Sequence, residues 1–260
     1  MTGPCELHFP YVSKRKDRQN AEQLFARVVG IAMDEDATIP DEALRASADM
    51  VGVLVPEGKR ELVRMKKFRF QLLHEWIVQH IAPCRAADIG GGKGLMAYLL
   101  ALGGWQATVI DPVYQALPTR YKDLTTDRQV HINPSATVPR LDHVFAPEMA
   151  RDFDLLIALH AHGCNIMLID AAAAYRRQVI LLPCCIIAEP LTPVAGVHWL
   201  QCVADYAKSR GLAVEPFRLN FKGQNIGLYL TPAVDAGTPA TLAFSAKMTR
   251  STSSPPSDRA

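Results

Sequence analysis

Apolar positions fall into two regimes along the chain. Between residues 19 and 33, Ala21, Leu24, Phe25, Val28, Val29 and Ala32 recur at helical spacing. Residues 41–53, with Pro40 at their start, predict a second helix. Residues 57–81 predict a third and longer one, with Leu62, Met65, Leu72, Leu73, Trp76 and Ile77 as its apolar stripe. After Pro83 the texture changes. Short apolar runs at 85–89, 107–110, 130–132 (weakly), 155–159 and 179–182 alternate with helical stretches at 94–102, 113–122 and 164–175. Such alternation predicts βαβ units and an α/β fold with a doubly wound, mainly parallel sheet. A last helix at 197–210 ends at Gly211. Runs 212–219 and 226–230 then flank Lys222-Gly223-Gln224-Asn225, which predicts an antiparallel hairpin closing the sheet. The expected organisation is a helical N-terminal region (1–75), an α/β domain (76–234) and a flexible tail (235–260) rich in Ala, Thr, Ser and Pro.

Composition supports a globular chain: 49% of the 260 residues are apolar and 21% are charged. The net charge of +2 excludes a strongly basic nucleic-acid binder on charge alone, but leaves room for a local patch. One candidate patch lies in the first half of the third helix. There Lys59, Arg60, Arg64, Lys66, Lys67 and Arg69 face only Glu57 and Glu61. It reads either as a solvated face or as a landing surface for an anionic substrate. No run approaches the roughly 18 apolar residues a membrane span needs, so no membrane partner is expected. The N-terminal residues lack an apolar signal core. The six cysteines are not needed to staple a chain with so large a core, so reduced thiols and a cytoplasmic setting are expected.

The chemistry concentrates at the first strand, which runs into Asp88-Ile89-Gly90-Gly91-Gly92-Lys93-Gly94 and then an apolar helix. Glycines between a strand and a helix let a ligand approach the backbone closely. A phosphate-cradling NTPase loop would need Ser or Thr after Lys93, and Gly94 stands there. The dinucleotide fingerprint fits Gly90 and Gly92 but then meets Leu95, which disfavours a nicotinamide-dependent oxidoreductase. What remains is acid-x-Gly-x-Gly-x-Gly, complete in Asp88, Gly90, Gly92 and Gly94. The next strand ends at Asp111, about twenty residues on, where an acid can accept hydrogen bonds from ribose hydroxyls.

This pattern resembles the cofactor loop of class I S-adenosylmethionine-dependent methyltransferases, over about residues 60–232. The resemblance implies a Rossmann-like fold and S-adenosyl-L-methionine as cofactor. Gly90, Gly92 and Gly94 would wall the cofactor, Asp88 would organise the loop and the methionyl amino end, and Asp111 would hold the ribose. Asn133, beyond the weak third strand, is the candidate adenine contact.

The fourth strand continues into Leu159-His160-Ala161-His162-Gly163-Cys164-Asn165. The Asn/Asp-Pro-Pro-aromatic signature of methylases acting on adenine or glutamine nitrogen is absent. The segment instead resembles a narrower methyltransferase group carrying D-x-G-x-G-K-G, then Leu-His-x-Cys-Gly, then Cys-Cys after the fifth strand. Pro183-Cys184-Cys185 stands at that last place, while His162 stands where the group has Cys. Some members of the group methylate RNA. The resemblance therefore implies RNA (tRNA or rRNA) as substrate, with Lys59, Arg60, Lys66, Lys67 and Arg69 as its landing surface. A small molecule, a protein, or cofactor binding without turnover are the alternatives. His160 is the candidate catalytic residue, as a base or as an orienting group, against a structural histidine under the pocket. Lys93, His162 and Cys184 are candidate substrate-side residues.

His160, His162, Cys164, Cys184 and Cys185 raise a metal-site alternative. No metal is expected, because the spacing matches no finger pattern and alternate residues near a strand end face opposite ways. The expected picture is His160 and Cys184 near the substrate opening, with the other thiol packed in the core.

Overall fold

A computed structural model of the chain describes residues 14–34, 66–193, 197–221 and 223–233. The predicted helix 41–53, the first half of the predicted helix 57–81 and the tail from 235 lie outside the described residues.

Helix α1 (Lys14–Ala32) starts five residues before the apolar periodicity that predicts it. Its Val28 is fully buried beneath the sheet. At its carboxyl end Lys208 Nζ donates to Ile31 O at 2.5 Å and Ala32 O at 3.3 Å, and also pairs with Asp34. A cation there suits the helix dipole. A 3-10 turn (Lys66–Phe68) leads into α2 (Arg69–His80), which buries Gln71, Leu73 and Ile77.

Next come β1 (Arg85–Ile89), α3 (Leu95–Leu102), β2 (Gln106–Ile110), β3 (Arg120–Lys122), β4 (Gln129–His131) and β5 (Arg140–Leu141). A 3-10 turn (Pro147–Asp152) precedes β6 (Leu155–Leu159). The remainder is α4 (Asn165–Tyr175), β7 (Gln178–Leu182), α5 (Trp199–Ser209), β8 (Leu212–Arg218) and β9 (Ile226–Pro232). Seven strands form one sheet in the order β5-β2-β1-β6-β7-β9-β8. The first five are parallel, and β9 runs antiparallel between β7 and β8. The fold is thus the expected Rossmann-like α/β sheet with an antiparallel C-terminal hairpin.

Two cores flank this sheet, because successive strand residues face opposite sides. Leu156, Ala158, Val179 and Leu181 pack with α1, α4 and α5. Leu155, Ile157, Ile180 and Leu182 pack with α2 and α3. The near-continuous apolar strands are what a parallel sheet covered on both faces requires. Among the described residues no helix is long and apolar enough to cross a membrane.

Two expectations fail between β2 and β6. Residues 113–122 form no helix, since Pro118 in their middle removes a backbone donor and clashes with the preceding turn. Residues 130–132 do not supply the third sheet strand. They sit in and after β4, which pairs only with β3 in a separate two-stranded ribbon. The third position belongs to β5, two residues long and preceded by Pro139, whose carbonyl accepts from Val109 N at 2.9 Å.

Strand order reverses beside β1: the chain moves outward to β2 and β5, then returns to β6 on the other flank. Ligands of open α/β sheets bind at the carboxyl ends of the strands at such a switch point. The segments there are 90–94 after β1 and 160–164 after β6.

Candidate functional site

The loop after β1 is built on left-handed glycines. Gly90, Gly92 and Gly94 have φ of +64°, +53° and +75°. A Cβ on Gly90 would lie 2.9 Å from Ala161 Cβ, so the loop after β1 is pressed against the loop after β6. A Cβ on Gly91 would run into the Asp88 carboxylate. Gly91, a free position in the motif, is therefore as constrained as its neighbours.

Asp88 lies under this loop, 2% exposed, and its Oδ2 has no hydrogen-bond partner. Burial is the main reason its carboxyl is pushed up to about 7, and the nearby Asp111 adds to the rise. The Ala97 backbone and Arg140 act in the opposite direction.

Asp111 fixes the loop from the next strand. Its Oδ2 accepts from Gly92 N and its Oδ1 from Val113 N, each at 2.9 Å. Each carboxylate oxygen keeps a second lone pair, so the brace is compatible with a ribose contact. Arg140, at the start of β5, completes the clamp. Its Nη1 donates to Gly92 O at 2.8 Å and its Nη2 to Val113 O at 3.2 Å. Both peptide polar groups of Gly92 are thus held, one by an acid and one by a base. Sequence reasoning missed Arg140, because its strand is too short for any periodicity. The Pro-Arg-Leu edge at 139–141 is the only signal that could have found it.

Lys93 is exposed on the loop. Asn133 is exposed beyond β4, where its Oδ1 accepts from Ser135 N at 3.0 Å and Ser135 Oγ at 2.9 Å. It stands in a local turn and not at the end of a sheet strand.

In the loop after β6, His160 has φ of +58° and its backbone N–H donates to Leu182 O at 3.3 Å. Its ring meets Phe221 edge-on, with centroids 6.5 Å apart. His162 Nδ1 lies 2.8 Å from Cys185 Sγ and 3.9 Å from Cys184 Sγ, and the two sulfurs are 3.7 Å apart. The five His and Cys residues do not converge fully, as the sequence leads one to expect: His162, Cys184 and Cys185 meet, while His160 and Cys164 stay outside this trio. Both thiols of the pair are half-buried, so neither is sunk in the core. The failed step is the strand rule: β7 ends at Leu182, so Cys184 and Cys185 are off the pleat.

Burial pushes the Cys164 thiol up to about 12, with Glu189 adding to the rise. Glu189 joins the two loops. Its Oε1 accepts from Asn165 N at 2.9 Å and Nδ2 at 2.5 Å, and its Oε2 from Ile166 N at 3.2 Å. Among the described residues Cys84, Cys164, Cys184, Cys185 and Cys202 are thiols, not disulfides.

The basic patch is described only in part. Lys59 and Arg60 lie outside the described residues, and Lys66 is described in its backbone alone. Lys67 is exposed, with Nζ 5.0 Å from the Phe68 ring centroid. Arg69 is half-buried over the Phe70 ring at 4.6 Å, and burial lowers its pKa.

No protein-family model and no curated protein matches the sequence. Solved structures do. The ribosomal protein L11 methylase from Lactobacillus delbrueckii subsp. bulgaricus is 17% identical, with a TM-score of 0.39, over 70% of this chain and 90% of that one. The 1,6-didemethyltoxoflavin-N1-methyltransferase of Burkholderia thailandensis, solved with S-adenosylhomocysteine, is 11% identical with a TM-score of 0.36, over 86% and 92%. The calicheamicin-biosynthesis methyltransferase CalO1, in its S-adenosylhomocysteine-bound form, is 10% identical with a TM-score of 0.31, over 86% and 100%.

Proposed function

We propose that the protein is an S-adenosylmethionine-dependent methyltransferase acting on RNA. The observation that carries the cofactor assignment is the loop at the switch point. Gly92 is clamped between Asp111 and Arg140, above a buried carboxylate oxygen of Asp88 that lacks a hydrogen-bond partner. These residues suit the cofactor: left-handed glycines leave room along the backbone, Asp111 offers remaining lone pairs to ribose hydroxyls, and Asp88 offers a partner to a cationic amine. The cofactor supplies an electrophilic methyl group on a sulfonium. Methyl transfer then needs chiefly an aligned nucleophile, and we assign the orienting role to His160, with the exposed Lys93 on the substrate side. Support for RNA is the resemblance at Lys93, His160 and the Cys184–Cys185 pair, together with exposed Lys67 and Lys93.

Two measurements test the reading. Calorimetry should show binding of S-adenosylhomocysteine and none of NAD. Asp111→Ala should weaken that binding by about 1.5–3 kcal/mol through loss of charge-assisted hydrogen bonds. Unchanged affinity in that variant would reject the cofactor site. Radiolabelled methyl transfer onto fractionated RNA, protein and small-molecule extracts should label RNA. Label in another fraction would replace the substrate while leaving the enzyme class intact.

A further inference from the structure

We propose that His162, Cys184 and Cys185 form a three-ligand site for a thiophilic divalent cation of the zinc type, with a fourth position left open to a small donor. The donor atoms of these three residues all lie within 4.8 Å of one another. Their spacing fits a tetrahedral ion. Metal–sulfur bonds of about 2.3 Å at the tetrahedral angle place two sulfurs about 3.8 Å apart, and Cys184 Sγ and Cys185 Sγ are 3.7 Å apart. A metal–nitrogen bond of about 2.0 Å places nitrogen and sulfur about 3.5 Å apart. The two distances from His162 Nδ1, 2.8 and 3.9 Å, bracket that value. Two thiolates and an imidazole select zinc over magnesium or calcium, which demand oxygen donors. Three protein ligands with one position open is the stoichiometry of reactive zinc sites, whereas structural sites close all four.

The scaffold holds the trio before any ion arrives. Glu189, four residues after Cys185, bonds the amino end of α4, three residues after His162. A Cβ on Gly163 would lie 3.0 Å from Ala188 Cβ, so the two loops touch directly as well. Ala161, adjacent to His162, is the residue packed against Gly90. The cation would therefore sit beside the glycine loop without sharing a ligand with it.

The inference stands apart from the methyltransferase reading, and its test is read without any cofactor. The full chain, purified without an affinity tag, is reduced, stripped with a chelator and titrated with zinc or cobalt(II). One metal per chain should be retained. The cobalt form should show sulfur-to-cobalt charge transfer and the intense visible bands of tetrahedral coordination. His162→Ala, Cys184→Ser and Cys185→Ser should each weaken metal binding more than about 100-fold, beyond the cost of losing an outer-shell partner. Cys202→Ser, on α5, should leave it unchanged. Thermal melts confirm that each variant is folded. A folded, unaltered chain that gives no charge-transfer band with cobalt overturns the proposal without recourse to any variant, and leaves a metal-free His–thiol pair. Equal retention by folded His162→Ala and Cys185→Ser also overturns it, placing the ion elsewhere.

Discussion

Asp88 holds its proton far longer in the folded chain than in the unfolded one. Its carboxyl rises from 3.8 to about 7, mainly through burial. Between those values the unfolded state has released a proton that the native state keeps, so stability should fall as pH rises across that window and level off above it. Asp88→Asn should remove this slope, as measured by denaturant unfolding at several pH values. The same group should respond to ligand. A cationic amine set beside Asp88 favours its ionised form, so S-adenosylhomocysteine binding near neutral pH should release a proton from Asp88. The dependence of calorimetric enthalpy on buffer ionisation reads that release, and Asp88→Asn should abolish it. Gly90→Ala should cost about 1–2 kcal/mol for the left-handed backbone alone, with the approach to Ala161 adding to it. Asp88, Gly90 and Asp111 were legible in the sequence because strand–turn–helix chemistry is local. Arg140 was not, and which of the five His and Cys residues meet was not either. They depend on which strand ends lie side by side, and on where each strand stops.

Helices and strands with one strong signal were legible as well. The apolar runs of β1, β6 and β7 and the closing hairpin are those the pattern predicts. The stretch between β2 and β6 was not, because prolines at 112, 118 and 139 interrupt every periodicity there. Helix α5 shows how a residue type can mislead at an element's edge. His198 caps it: its Nδ1 accepts from Leu200 N at 3.1 Å, while Gln201 Oε1 accepts from His198 N at 3.2 Å. Only a neutral ring can accept, and burial, aided by Arg27, lowers its pKa. The cap should therefore stabilise the fold above the ordinary histidine value and be lost as pH falls through the lowered one. His198→Ala should cost about 0.5–2 kcal/mol. His198→Asn, which caps without titrating, should retain most of the stability and flatten its dependence on pH. Denaturant midpoints for the three proteins across mildly acid pH check both outcomes.

At the scale of the molecule, α1 belongs to the core of the sheet domain, although its sequence precedes that domain by some fifty residues. Val28 shares one buried cluster with Val203 and Val214 of α5 and β8. Val28→Ala should cost about 2 kcal/mol, seen as a lower midpoint in a single cooperative melt. Two separate melts would show instead that α1 folds independently of the sheet. Glu189 has a consequence of a different kind. The residue preceding α4, Cys164, supplies no side-chain cap, so the amides of Asn165 and Ile166 depend on a carboxylate that the chain reaches only after completing β7. A chain severed between α4 and β7 separates this helix from its cap. The first fragment alone should exchange those two amide protons rapidly. Adding the second should restore protection only if it carries Glu189, which makes the carboxylate a condition of fragment complementation.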